Sequence, residues 1–180
     1  MRIVSGSHKG RRITAPKKLP VRPTTDFAKE ALFNILSNRF DFDELEVLDL
    51  FAGTGNISYE FASRGVPQIT CVDAHFGCVK FIHKTAEEFS FPITTVKSDA
   101  YKYLQASNTT FNIIFADPPY AFEIGQFENL VVKIFKKNLI KSNGILIIEH
   151  PKQTDLTKLP RYQESRRYGS SMFSFFGGEK

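Results

Sequence analysis

An α/β fold, built on a doubly wound and mostly parallel sheet that ends in an antiparallel hairpin, is predicted for this chain of 180 residues. Short apolar segments rich in β-branched and aromatic residues alternate with segments whose apolar residues recur at helical spacing. Two strand-like segments then flank Tyr168-Gly169, which is typical of a hairpin. The length and a hydrophobic fraction of 42% suit a single domain over residues 1–180.

The first 23 residues are the basic part of the chain, whose net charge is +5. Alternating apolar and polar residues predict a small β-hairpin that pairs 2–5 with 11–14, followed by a proline-spaced connector over 16–23. A projecting basic hairpin can hold the phosphates of a nucleic acid, whereas the simpler interpretation is a solvated, flexible basic end. The candidate nucleic-acid contacts are Arg2, Lys9, Arg11, Arg12 and Arg22.

The core over residues 24–180 is predicted to alternate strands and helices. Thr24, Thr25 or Asp26 caps a first helix, and apolar residues continue at helical spacing to Leu36. The predicted strands are 46–50, 68–72, 92–96, 111–116, 145–148, 163–167 and 170–176, and the helices between them are 57–64, 75–89, 100–104 and 126–136.

A small-residue turn, Phe51–Asn56, separates the first core strand from its helix. Gly53 and Gly55 let the backbone approach a ligand closely. Asp73, about 20 residues further on, follows the next strand, where a carboxylate can bind ribose hydroxyls. Ser58 stands where a dinucleotide-binding fingerprint has its third glycine. The turn therefore favours a nucleoside without a pyrophosphate, and S-adenosylmethionine fits that description.

Asp99 follows the third core strand, at the edge of the sheet where Asp73 is expected. Its carboxylate can accept a hydrogen bond from an adenine amino group. A role as the N-cap of the following helix is equally consistent with its position.

The remaining reactive side chains predict neither disulfides nor a metal site. Cys71 and Cys78 are not in a C-x-x-C arrangement and are expected to be buried thiols of a reducing compartment. The four histidines and two cysteines lack the spacing of metal ligands. The N-terminus has no apolar signal stretch and no run reaches membrane-spanning length, so a cytoplasmic protein is expected.

The tetrapeptide Asp117-Pro118-Pro119-Tyr120 is the segment best suited to chemistry. It follows the apolar strand Phe111–Ala116, which the two prolines bring to an end at the ligand-binding edge of an open α/β sheet. An amino group on a base is a poor nucleophile because its lone pair is delocalised into the ring. The Asp117 carboxylate and the Pro118 carbonyl can accept both N–H bonds and localise that lone pair, while Tyr120 stacks on the base. The alternative is a rigid turn with a helix-capping Asp117.

These motifs resemble those of Rossmann-like class I S-adenosylmethionine-dependent methyltransferases and, more narrowly, RsmD-type bacterial 16S rRNA guanine-N2 methyltransferases. The resemblance covers nearly the whole chain and rests on residues 2–6, 9–11, 22–26, 47–55, 117–120, 149–150 and 166–169. The chain departs from the family pattern at Asn56–Ser58, where smaller residues are usual.

The resemblance implies a seven-stranded sheet with residues 117–120 as the catalytic loop. It implies methyl transfer to the exocyclic N2 amine of one guanine in 16S rRNA, with that RNA or the 30S subunit as partner, and we expect a monomer. The implied S-adenosylmethionine pocket consists of Asp49, Gly53, Gly55, Asp73 and Asp99.

Three other functions are weighed against this one. A DNA methyltransferase acting on adenine N6 or cytosine N4 would use the same tetrapeptide, although such enzymes usually carry a separate recognition region. A glutamine-modifying protein methyltransferase usually has Asn at position 117 and ranks lower. A basic RNA-binding assembly module without catalysis is the alternative from another class, and the presence of Asp73, Asp117 and Tyr120 disfavours it.

Overall fold

The computed structural model describes residues 1–20 and 24–177. In this part of the chain the helices are α1 (Asp26–Ser37), α2 (Asn56–Ser63), α3 (Phe76–Phe89), α4 (Ala100–Ala106) and α5 (Ile124–Lys136). The strands are β1 (Glu46–Leu50), β2 (Gln68–Asp73), β3 (Ile93–Lys97), β4 (Phe111–Ala116), β5 (Ile140–Pro151), β6 (Tyr162–Tyr168) and β7 (Ser171–Gly177). None of the helices described here is both long enough and apolar enough to span a membrane.

The strands form one sheet in the order β3-β2-β1-β4-β5-β7-β6. Strands β1 to β5 are parallel, whereas β7 runs antiparallel to both β5 and β6. The chain moves outward from β1 through β2 and β3 and then returns to β4 on the other side of β1. Ligands bind at such a reversal, outside the carboxyl ends of the strands. The predicted fold class is thereby confirmed, including the doubly wound parallel sheet and its terminal antiparallel hairpin.

Two apolar clusters cover the two faces of this sheet. Side chains alternate along β1, so that Val47 packs with α1, α2 and α3 on one face while Leu48 packs with α4 and α5 on the other. On the first face α1 buries Leu32 and Phe33, and on the second α5 buries Phe127 among other residues. Both faces are covered by helices, which is why the central strands are continuous apolar runs in the sequence.

The predicted strand 145–148 is longer in the structure. Asn143-Gly144, expected to precede a strand at 145–148, lies inside the longer strand β5. The register against β4 shifts between the pairs Phe111–Ile140 and Ile113–Ile145, which marks a bulge, and Asn143 has the left-handed φ of 64° that such an irregularity uses. The Asn-Gly pair therefore bends a strand here instead of starting one.

The predicted N-terminal hairpin is present as a much shorter pairing. Arg2 and Arg12 form a single antiparallel bridge, and the Ile3 amide donates to the Arg11 carbonyl at 2.9 Å. Residues 4–8 leave this pairing because their polar groups bond to α2 instead. Arg22, also predicted to contact nucleic acid, lies outside the described residues.

Helix α2 holds the N-terminal segment through two buried polar residues. Glu60 accepts the Val4 and Ser5 amides at 2.8 and 3.0 Å. The Ser63 carbonyl accepts the Ser7 amide at 2.7 Å. The segment approaches so closely that a Cβ on Gly6 would lie 1.8 Å from the Ser63 carbonyl oxygen.

A buried lysine completes this cluster. The Lys29 ammonium donates to the Arg2 carbonyl at 2.6 Å and to Asn56 Oδ1 at 2.8 Å, and it lies 3.8 Å from Glu60. The Asn56 amide in turn donates to the Thr24 carbonyl at 2.8 Å. This network explains the departure from the family pattern at position 56: the larger Asn56, in α2, bonds to Lys29 of α1 and to Thr24, two residues before α1.

Candidate active site

The turn after β1 forms a backbone cradle at the carboxyl end of the sheet. Phe51, Gly53 and Gly55 all have left-handed φ angles, of 60°, 56° and 80°. A Cβ on Gly55 would lie 2.7 Å from the Tyr59 ring, so this position has room only for glycine. The Gly53 amide donates to Asp73 Oδ2 at 2.8 Å, which ties the cradle to the end of β2.

Asp73 is held in place by two backbone amides. Besides Gly53, the His75 amide donates to Asp73 Oδ1 at 2.7 Å. A carboxylate can accept about four hydrogen bonds, so these two leave capacity for the hydroxyls of a ribose. The glycine cradle and this half-buried carboxylate therefore fit the nucleoside part of S-adenosylmethionine.

Asp99 lies at the neighbouring strand end, exposed to solvent. The Ser98 amide donates to the Asp73 carbonyl at 3.1 Å, so the ends of β2 and β3 are joined. Asp99 Oδ1 accepts the Lys102 amide at 3.0 Å. The N-cap interpretation of Asp99 is thus confirmed, and its contact with adenine stays a prediction.

Asp49 lies beneath the cradle and is almost completely buried. It accepts the Ser58 hydroxyl at 2.6 Å, and Ser58 Oγ accepts the Cys71 thiol at 2.9 Å. Burial, with a further contribution from the nearby charge of Asp73, raises the pKa of Asp49 to about 7. The hydroxyl of Ser58, which replaces the third glycine of a dinucleotide fingerprint, is the observed partner of Asp49; the predicted cofactor contact of Asp49 stays a prediction.

The tetrapeptide leaves the sheet beside the cradle. The Asp117 amide donates to the Leu50 carbonyl of β1 at 3.3 Å, which fixes the start of the loop. Pro118 is buried, whereas Pro119 and Tyr120 are exposed. Burial, then the charges of Glu149 and Asp49, raise the pKa of Asp117 well above its ordinary value. The Asp117 carboxyl group is therefore largely shielded from solvent and lies near other negative charges, a combination that is typical of functional sites.

A pocket opens at the ends of β4 and β5, one strand away from the glycine cradle. It contains groups from four parts of the chain: the start of α1, the tetrapeptide, the end of β5 and the β6–β7 turn. Its lining residues are Thr24, Thr25, Asp117, Pro118, Tyr120, Glu149, His150, Pro151, Ser170 and Ser171. Asp117 and Pro118 thus lie between a site suited to a nucleoside and a second pocket that can take another molecule.

Comparisons with known proteins agree with this geometry. The family model described as "Conserved hypothetical protein 95" matches residues 1–177. The chain belongs to this family. Among its relatives, the ribosomal RNA small subunit methyltransferase D of Escherichia coli (strain K12) is 32% identical over 150 residues, which cover 83% of this chain and 71% of that protein.

Solved structures show the same fold. A hypothetical protein of Thermus thermophilus, TTHA0928, superposes with a TM-score of 0.85 at 24% identity, covering 99% of each chain. The T. thermophilus 16S rRNA N2 G1207 methyltransferase, solved with AdoMet and guanosine, gives 0.70 at 19% identity and covers 89% of this chain and 45% of that one. Together with family membership, these matches confirm the predicted enzyme class, an S-adenosylmethionine-dependent methyltransferase, and its cofactor.

Other predicted site residues of this family member lie at the N-terminal segment. Lys9, Arg11 and Arg12 are exposed there. Arg2 forms an ion pair with Asp26 at 3.3 Å, in the first turn of α1 and close in sequence to Thr24 and Thr25 of the pocket. The structure therefore joins the basic segment to the start of α1, and the RNA contacts of its side chains stay predictions.

Sequence reasoning missed three lining groups of the pocket, namely Thr24, Glu149 and the Ser170-Ser171 turn, as site residues. The Thr24 hydroxyl donates to Glu149 Oε2 at 2.6 Å. An acidic residue directly after the buried apolar run of β5 was the available signal for Glu149, since polar residues at that edge of a parallel sheet face the ligand. No comparable pattern marks the threonine or the two serines.

His150, another lining residue of the pocket, has a hydrogen-bond partner on both ring nitrogens. Its Nε2 lies 2.7 Å from Ser174 Oγ and its Nδ1 lies 3.0 Å from the Pro151 carbonyl oxygen. The carbonyl can only accept, so Nδ1 carries the proton, and Nε2 accepts from the Ser174 hydroxyl in the neutral ring. Burial lowers the pKa of His150 and favours this neutral form.

Proposed function

We propose that this enzyme transfers the methyl group of S-adenosylmethionine to the exocyclic N2 amine of one guanine in small-subunit rRNA. The observation that carries the proposal is the position of Asp117 and Pro118, which line the pocket beside β5 while their backbone is bonded to β1 next to the glycine cradle. A relative named for the small-subunit rRNA supports the choice of substrate.

Binding of the donor falls to the cradle. Gly53 and Gly55 admit the ligand to the backbone, Asp73 accepts its ribose hydroxyls, and Asp99 is placed for the adenine amine. When bound, S-adenosylmethionine supplies a methyl group on a positively charged sulfur, which is already activated for transfer. The donor therefore calls for no metal ion at this site.

Activation of the acceptor amine falls to Asp117 and Pro118. Their oxygens accept hydrogen bonds from the two N–H groups of the amine. These bonds hold the amine in one orientation and make its lone pair available for the methyl group. The raised pKa of Asp117 also lets its carboxylate take up one amine proton once the new N–C bond has formed. Tyr120, with 62% of its surface exposed, is placed at the pocket to stack on the base.

Two aromatic residues close in sequence to the pocket lining suit an RNA strand whose base has been flipped out. Phe27, in the first turn of α1, is 68% exposed and meets the Tyr168 ring edge-on with centroids 6.1 Å apart. Exposed aromatic rings are the usual stacking partners of unpaired bases. The phosphates of that strand would be held by five basic residues: Arg2, Lys9, Arg11, Arg12 and Arg22. We further propose that residues 1–180 form a single domain and that the protein acts as a monomer in the cytoplasm.

The test is transfer of tritium from labelled S-adenosylmethionine to small ribosomal subunits, total RNA and DNA prepared from a host that lacks this gene. Digestion of the labelled nucleic acid identifies the modified nucleoside and its position. We expect N2-methylguanosine in the small subunit. Label in DNA, or in another nucleoside, would reject the proposed substrate while leaving the donor and the fold in place.

A further inference from the structure

A second carboxylate, Glu149, lies beside Asp117 in the pocket. Ala116 of β4 pairs with Ile148 of β5 in parallel register, and Asp117 and Glu149 are the residues that follow this pair. Equivalent positions on adjacent parallel strands place their side chains on the same face of the sheet. Both residues line the pocket, and the charge of Glu149 acts on Asp117.

The position of Glu149 is fixed by the threonine at the start of α1. Thr24 donates its hydroxyl to Glu149 Oε2 at 2.6 Å, and only 8% of Glu149 is exposed. The Thr24 carbonyl in turn accepts the Asn56 amide at 2.8 Å, which connects it to the buried lysine network. Glu149 is therefore held through Thr24 by the network that joins α1 to α2, and its side chain lines the pocket.

Asp117 and Glu149 both offer carboxylate oxygens as hydrogen-bond acceptors to a ligand in the pocket. The chemistry of the base decides which ligand supplies donors to both. Guanine presents a ring N1–H donor directly beside its N2 amine, which gives three N–H donors along one edge. Adenine and cytosine present a ring nitrogen that accepts a hydrogen bond beside their amine. Two neighbouring acceptors therefore complement guanine alone among these bases.

We propose that Glu149 selects guanine: its carboxylate accepts the N1–H while Asp117 and the Pro118 carbonyl hold the N2 amine. This inference rests on the proposed function, because it assumes that the base in the pocket is methylated on its N2 amine. A ring nitrogen without a proton would bring its lone pair against the Glu149 carboxylate, so adenine and cytosine are rejected by repulsion as well as by the missing bond.

The test compares guanine with a base that lacks both its N1 proton and its 6-oxo group, and the Glu149 variant separates the first difference from the second. Small subunits are reconstituted with ligated rRNA that carries, at the mapped target, either guanine or 2-aminopurine, which keeps the 2-amine but has an unprotonated N1. Wild-type enzyme should methylate guanine roughly tenfold faster or more, the discrimination expected of a good base contact. Glu149→Gln, whose amide can donate to an unprotonated N1, should reduce this ratio at least about tenfold.

Glu128→Gln is the matched control, because Glu128 is an exposed residue of α5 away from the pocket, and it should keep the wild-type ratio. Thr24→Val, which removes the hydroxyl bonded to Glu149, should lower the ratio in part and tests the inference even where Glu149→Gln does not fold. S-adenosylmethionine binding measured by calorimetry verifies that each variant is folded.

The outcomes separate the two proposals. A wild-type ratio near one, or an unchanged ratio in both Glu149→Gln and Thr24→Val, would overturn the role of Glu149 and leave the proposed function standing. Failure of the wild-type enzyme to methylate the guanine-containing subunits would overturn the proposed function itself.

Discussion

Two polar regions of this molecule, the N-terminal cluster around Glu60 and the pocket around Asp117, differ in the charges that surround a carboxylate. In the N-terminal cluster, Glu60 is surrounded by Lys29, Arg64 and backbone amides, each placed to neutralise or bond it. At the carboxyl end of the sheet, the described residues whose charges act on Asp117 are instead two carboxylates, Glu149 and Asp49. The first region uses charge to fix one conformation. The second brings like charges together, and we propose that a ligand with N–H donors binds to them.

Asp117→Ala should have the largest effect, on methyl transfer and not on stability. It removes an acceptor for the amine, so methyl transfer should fall by about a thousandfold, or ~4 kcal/mol of transition-state stabilisation. Single-turnover transfer to small subunits measures this loss, while calorimetry should show unchanged S-adenosylmethionine binding. Asp43→Ala, an exposed carboxylate before β1, is the control. Near wild-type turnover in Asp117→Ala would remove its catalytic role.

Lys29→Met should have the opposite signature. Removing the cation leaves Glu60 and Asn56 buried without their partner, so the free energy of unfolding should fall by about 3 kcal/mol or more. Urea unfolding measures this change. Lys84→Met, an exposed lysine of α3, should leave stability unaltered. Equal stability of the two variants would show that the cluster does not fix the N-terminal segment.

The pH dependence of methylation tests the carboxylate pair directly. In the proposed mechanism the ionised form of Asp117 accepts a hydrogen bond from the amine, and burial with the nearby charges of Glu149 and Asp49 raises the pKa of Asp117. The rate should therefore fall as the pH is lowered, and should do so well above the value of about 4 that is usual for aspartate. Glu149→Gln removes one like charge and should move this fall to lower pH. An inflection in the ordinary aspartate range for the wild type would contradict the electrostatic interpretation.

Gly55→Ala is the smallest of these effects. Gly55 and Gly10 have nearly the same left-handed φ, 80° and 84°, but only Gly55 has atoms in the way of a Cβ. Gly10→Ala should cost roughly 1–2 kcal/mol from backbone strain alone. Gly55→Ala should cost more, because the new methyl group meets Tyr59, and it should also weaken S-adenosylmethionine binding. Thermal unfolding and calorimetry on both variants separate strain from displacement of the cradle.

The order of elements and the place where residues 117–120 leave the sheet could be predicted from the sequence, because both depend on local patterns. Alternating apolar runs mark the strands, and the prolines after Phe111–Ala116 mark where β4 ends. The partnership of Asp117 with Glu149 could not be predicted in this way, since it depends on the register between β4 and β5, and a bulge near Asn143 lengthens β5 beyond its predicted range. Lys29 was also missed, because a lysine within an amphipathic helix is expected at the surface until its neighbours are known.

The position of β7 has a consequence for folding during synthesis on the ribosome. It is the last strand described along the chain, yet it lies between β5 and β6 in the sheet. Strand β6 is synthesised before β7 but pairs only with β7, so the backbone edge of β5 stays unpaired until β7 has left the exit tunnel. A chain that terminates before β7 would leave the backbone groups at this edge of β5 unpaired. Such a chain would be prone to aggregation and to degradation by quality-control proteases.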